Sequence, residues 1–292
     1  MNNVFRLAVA FGALVTVTPA RPAGAEPVPR AHGFVRTGSI AQGRKAPRPA
    51  RPRLGADALD KVRDLLAGND QEVIAATAKA LGESAAPNAA LPLVEMLVVG
   101  TRPSAAIAAL DALKKLHDPM SIEILTLYAG NRGATVRRQA VRALGAFSDT
   151  RVVPTLMDRL GDTAPDVRAA AADALAVRGE KAAAPRLLAL LKHNDGGAAA
   201  PLGTIAPVAM LPAITELQGG IDDGHLATTL GEMVKRHDVA EPLRLDIVKT
   251  LARIPGAAST TALVEYVGTL AGGDAHASKI EAQKIIDDRS KQ

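Results

Sequence analysis

The chain has no cysteine and no tryptophan, and aromatic residues make up only 2% of it. Without cysteine there is no disulfide to support the fold and no thiol to carry a lipid after signal cleavage, so stability must come from packing alone. With so few rings, the 48% of hydrophobic residues is mostly Ala, Leu and Val, a composition suited to close backbone approach. Long apolar runs are also missing. The longest, Leu7 to Val17, has 11 residues, against about 20 needed to cross a bilayer.

Motifs of chemistry are scarce as well. The pairs Gly196-Gly197, Gly219-Gly220 and Gly272-Gly273 stand outside any phosphate-loop pattern and follow no strand. No G-x-S-x-G elbow occurs. None of the six histidines has a convincing partner at the three- or four-residue helix spacing of a metal site; His225 near Asp222 and His193 near Asp195 read as loop residues. No catalytic residue, metal ligand or cofactor is therefore expected, and the sequence points to a protein that is not an enzyme.

The net charge of +5 is unevenly placed. Residues 1–25 carry +2 and residues 26–53 carry +6, leaving −3 on residues 54–292. A groove for nucleic acid would show the reverse balance, so nucleic acid is excluded as a partner.

Residues 1–25 read as a signal peptide. Arg6 precedes the apolar run, and Ala23-Gly24-Ala25 supplies a small-x-small cleavage pattern, predicting a mature start at Glu26 and a periplasmic or secreted protein. The alternative is an uncleaved N-terminal anchor. Residues 26–53, rich in Pro, Gly and Arg, cannot bury enough surface to offset the entropy of ordering, so a disordered arm is expected. Its chemistry would allow weak contact with anionic envelope components.

What the sequence has in quantity is repetition. ATVRRQAVRALGAFSDTRVVPTLMDRL is followed 31 residues later by PDVRAAAADALAVRGEKAAAPRLLALL. Val136 falls on Val167, Arg137 on Arg168, Leu144 on Leu175, Leu156 on Leu187 and Leu160 on Leu191. A fixed period of this size marks a stack of units that bury their apolar faces only against neighbours. First helices are expected to open at Val73, Ala105, Val136, Val167, Ala198 and Leu243, with apolar or small residues four and eight positions on. Turns follow at Gly82, Asp118-Pro119, Ser148-Asp149 and Gly179. Second helices then carry Val94, Leu125, Leu156, Leu187 and Leu263. Asn69 is expected to cap a helix, with Glu72 reaching back, and the same slot recurs at Thr101, Thr163 and Asn194, with Asn131 one residue early.

The fold class expected for residues 54–292 is thus all-α, an α-solenoid of helix pairs with a period of about 31 residues. An irregular insert is expected at about 194–238, where Pro201, Pro207 and Pro212 interrupt the pattern and an additional helix runs from about Asp222 to Arg236. A polar helix at about 274–288 would close the stack.

The units VRRQAVRALGAFSDTRVVPTL and VRAAAADALAVRGEKAAAPRLL resemble the short bacterial HEAT-like repeats of the phycobilisome-lyase type, and the resemblance extends over roughly Gly55 to Gly268. It implies a superhelix of helix pairs, with the second helices on the concave side. It also implies the alternative of an enzyme or enzyme accessory, since that family includes bilin lyases and deoxyhypusine hydroxylase. The hydroxylase holds a di-iron centre with His-Glu pairs; here His117 and His237 are followed by Asp118 and Asp238, and no His is followed by Glu. The lyases act on a cytoplasmic chromophore pathway, which an export signal does not suit.

Beside the expected core column, the second helices carry pairs four apart: Ile124 with Tyr128, Thr155 with Arg159, Arg186 with Leu190 and Ala262 with Tyr266. Tyr and Arg often dominate interface energies, so Tyr128, Arg159, Arg186 and Tyr266 are the candidate residues for binding a protein or peptide partner. A bend at 194–238, or a binding segment there, are the two readings of the irregular stretch.

Overall fold

The computed structural model describes residues 52–269 and 276–291. The signal peptide and residues 26–51 of the arm lie outside the described residues. Among the described residues the regular elements are all helical, and no helix is long and apolar enough to cross a membrane.

The helices are α1 (Ala56–Leu66), α2 (Gln71–Ser84), α3 (Ala90–Val99), α4 (Pro103–Leu116), α5 (Ile122–Ala129), α6 (Ala134–Gly145), α7 (Val153–Arg159) and α8 (Pro165–Val177). There follow α9 (Ala184–Lys192), α10 (Ala199–Ile205), α11 (Leu211–Thr215), α12 (Asp223–Val234), α13 (Glu241–Arg253), α14 (Ala257–Thr269) and α15 (Ala277–Arg289). None is long enough to be stable alone in water, and each finds its partner by stacking. One column runs α2, α4, α6, α8, α10, α12, α14, each helix packed on the next. The second helices lie beside it, α3 on α5 and α5 on α7.

The repeated apolar positions are the core. Val136 and Val167, Ala140 and Ala171, Leu144 and Leu175, Leu156 and Leu187, and Leu160 and Leu191 are all buried. Small residues let the first column pack tightly. A Cβ added at Gly145 would lie 2.6 Å from Ala174 Cβ, and one at Gly231 would lie 2.8 Å from Ala262 Cβ. Gly82, expected in a turn, does the same inside α2, where an added Cβ would fall 2.8 Å from Ala112 Cα. The turn comes later, at Ala85, which adopts the left-handed conformation with φ 51°.

Each unit also closes the helix ends of the one before. The last carbonyls of a helix have no partner within it. Tyr128 Oη donates to Leu97 O (2.8 Å), and Arg159 Nη1 to Ala129 O (3.2 Å). Arg178 Nη1 donates to Phe147 O. Arg236 Nη1 donates to Gly203 O (3.1 Å) and Ala206 O (2.6 Å). At the C-terminal end, Arg289 Nη2 donates to Ala252 O (2.9 Å) and Ile254 O (3.1 Å), tying α15 to the end of α13. A cation at a helix C-terminus also complements its dipole.

Three expectations of register are corrected. In the first unit Leu93, not Val94, fills the second-helix core position: Leu93 is fully buried and Val94 only partly. The spacing to Leu125 is therefore 32 residues, one more than the period further on. The cap before α2 is Asp70, whose carboxylate accepts from Glu72 N and Val73 N, rather than Asn69. Asn131 and Asp162, 31 residues apart, are the equivalent turn residues, accepting from Gly133 N and Ala164 N; Thr163 and Asn194 cap no helix.

The third correction concerns 194–238. The stack continues through it as a shortened pair, α10 and α11. Pro212 stands at the start of α11 and Pro201 in the first turn of α10, positions where a missing N–H costs little. The additional helix is α12, the next member of the first column. Consequently α13, expected to open a first helix at Leu243, lies beside that column and packs against α15.

Candidate functional site

Where the chain turns from α5 into α6 and from α7 into α8, a polar hollow of about 510 Å³ opens between successive units. Its charged residues come from four elements: Arg137 from α6, Asp158 and Arg159 from the end of α7, Asp162 from the following turn, and Arg186 from α9. They meet because the 31-residue period sets α5 on α7 and brings the loops after them, with Arg186 of the following unit, to one place.

The floor is an ion pair. Arg137 Nε and Nη2 donate to the two oxygens of Asp162 at 2.8 and 2.7 Å, and the Asp162 side chain is only 3% exposed. Arg137 Nη1 continues to the carbonyls of Asn131 and Arg132, both at 3.0 Å. Burial pushes the Asp162 carboxyl up, but the hydrogen bonds from Arg137 and Ala164 N, with the charges of Arg137 and Arg159, pull it below its ordinary value overall. The next unit repeats the device, with Arg168 Nε on Asp195 at 2.5 Å and Nη1 on the carbonyls of Asp162 and Thr163.

Arg159 forms one wall. Besides capping Ala129 it pairs with Asp158, and its Nε is buried without a hydrogen-bond partner. Arg186 forms the other and is exposed. Its Nη2 lies 3.6 Å from the point where a Cβ at Gly161 would stand.

Of the four candidate binding residues, the structure brings Arg159 and Arg186 to one hollow and leaves both tyrosines elsewhere. Tyr128 is 8% exposed and Tyr266 is fully buried. Tyr266 Oη lies 2.7 Å from Ser278 Oγ, joining α14 to α15. Neither ring presents a face to a partner: Tyr128 Oη closes the end of α3, and Tyr266 Oη is held by Ser278 of α15. From the sequence Asn131 is expected only as a cap and Arg137 only as a repeat position, and Asp158 and Asp162 carry no expectation. The signal was present, since Arg137 and Arg168 occupy one repeat position and an Asp precedes each following unit at Asp162 and Asp195.

Two described histidines stand at helix ends, His117 at the C-terminus of α4 and His225 in the first turn of α12. His117 has φ 54° and ends α4, and His225 Nδ1 lies 3.0 Å from Asn194 Oδ1. Among the described residues no group of three His, Asp or Glu side chains is placed to hold a metal ion.

Residues 129–200, the segment holding the hollow, match the family model of HEAT repeats. No curated protein matches the chain. Among solved structures it is similar to the complex of CpcE and CpcF of phycocyanin lyase from Nostoc sp. PCC7120, at 18% identity over 83% of this chain and 97% of that one, with a TM-score of 0.44. It is also similar to an engineered protein, at 20% identity over 80% of this chain and 96% of that one, with a TM-score of 0.33. Residues 129–200 thus carry HEAT-like repeats, and stacked helix pairs continue on either side of them.

Proposed function

We propose that this chain is an exported, non-enzymatic scaffold that holds a protein or peptide partner across its second helices at the hollow between α7 and α9. The observation that carries the reading is the convergence of Arg159 and Arg186, from adjacent units, on one open polar recess. Arginine is among the residues that most often anchor interfaces. Leu127, one period before Asp158 on α5, is 67% exposed and adds apolar surface to the second helices. The export half of the proposal is supported by residues 1–25 alone.

A photoreactive residue at the exposed Ala189 of α9 tests the binding half. In cells expressing the full chain it should form a covalent adduct with one defined polypeptide, in a complex burying at least about 1,000 Å². Absence of any adduct rejects the scaffold. Stoichiometric iron, zinc or chromophore in the purified protein would replace it with an enzyme. N-terminal sequencing tests export: the mature chain should begin at Glu26, and a chain beginning at Met1 in the cytoplasmic fraction rejects that part.

A further inference from the structure

We propose that the hollow takes one carboxylate of an acidic peptide segment, with Arg186 as its anchor; the inference rests on the scaffold reading above and gives it a ligand chemistry.

Most charges in the recess already have partners. Three arginines and two aspartates line the recess, so its formal charge is +1. Both carboxylates are answered from within, Asp162 by Arg137 and Asp158 by Arg159. The exposed loop carbonyls are answered too, since Arg137 and Arg168 donate to those of Asn131, Arg132, Asp162 and Thr163. The negative ends of α5 and α7 are therefore already neutralised. Arg186 is different. It lines the hollow and is exposed, and among the described residues it makes no hydrogen bond or ion pair. The excess positive charge is its own.

Its position is particular to this unit. The same repeat position holds Ile124 and Thr155 in the two units before it, so the guanidinium is not an element of the stack. Gly161 stands opposite it, and a Cβ there would lie at ordinary contact distance, 3.6 Å, from Nη2. A guanidinium fork matches a carboxylate with two parallel hydrogen bonds. Leu127, which holds the Asp158 position one unit earlier and is exposed, offers a peptide an apolar contact that a small free anion would not use.

The test uses the full chain and two fluorescein-labelled peptides, Glu-Leu-Glu-Glu and its glutamine counterpart, read by fluorescence anisotropy. The acidic peptide should bind saturably. The neutral peptide, and the acidic peptide on Arg186→Gln, should each bind at least tenfold more weakly, with Arg186→Lys in between. Residues 26–53 are cationic, and binding by them would survive Arg186→Gln; equal affinity of that variant overturns the proposal. Displacement by inorganic phosphate at lower concentration than by acetate would make this a phosphate site and overturns it as well. Circular dichroism checks the fold of the variant. Should it unfold, the side-chain NMR signal of Arg186 in the unsubstituted chain decides, and no shift on adding acidic peptide overturns the proposal. If the peptide fails while the Ala189 adduct still forms, the carboxylate anchor falls and the scaffold stands; if both fail, both fall.

Discussion

Arg137 of α6 and Asp162 in the turn after α7 are joined by parallel hydrogen bonds of 2.8 and 2.7 Å. The pair sits where α6 passes the turn after α7, with side chains 13% and 3% exposed. Removing one partner of such a pair leaves the other charge buried, and this loss exceeds what the intact pair contributes. Arg137→Met should therefore cost about 3 kcal/mol in urea unfolding. Arg137→Met with Asp162→Asn should cost less than the single change. A single substitution with no loss would show the pair to be open to water.

The same pair sets a pH dependence. The Asp162 carboxyl lies below its ordinary value in the folded chain, so the folded state binds its proton less readily than the unfolded state does. Its contribution is present above about pH 4, the unfolded carboxylate range, and is lost as pH falls through the lowered folded value. Stability measured from pH 6 downward should fall, and Asp162→Asn should flatten that fall. An unchanged slope would assign the acid sensitivity to other carboxyls.

Close approach in the first column predicts a rescue. Gly145→Ala places a methyl 2.6 Å from Ala174 Cβ, and overpacking of this kind costs about 1–3 kcal/mol. Adding Ala174→Gly should recover part of the loss, less the penalty of about 1 kcal/mol for glycine in a helix. If Gly145→Ala is instead stabilising, α6 and α8 are further apart than described.

The corrected register gives a paired comparison. Leu93 is fully buried while Val94 is only partly so. Leu93→Ala should cost about 2–5 kcal/mol, as should Leu156→Ala in the third unit. Val94→Ala should cost less than half as much. The reverse order would restore the uniform 31-residue spacing.

The two arginines of the hollow should separate by role. Arg159 caps Ala129 and pairs with Asp158, so Arg159→Ala should lower stability by about 1–2 kcal/mol, the scale of a charged hydrogen bond. Arg186→Ala should stay within about 0.5 kcal/mol of the parent, the range of ordinary surface changes. A large loss at Arg186 would make it part of the stack.

The sequence by itself determined the helix pairs, their period and most of the core. A short helix can bury its face only if the same apolar positions return in the next unit, so the repeat is written directly as spacing. Val136 with Val167 and Leu156 with Leu187 carry that information without any coordinates. The shortened pair at 196–215 was legible as irregular from its prolines, but its place in the stack was not. That depended on α12 packing between α10 and α14, a contact between segments about 30 residues apart. The candidate site divides in the same way. Spacing alone put Tyr128, Arg159, Arg186 and Tyr266 on one strip. Only the tertiary structure decided that the tyrosine hydroxyls turn inward to Leu97 O and Ser278 Oγ while Arg159 and Arg186 converge. A long polar side chain goes to whichever unsatisfied group its neighbours leave within reach, and those neighbours belong to another unit of the chain.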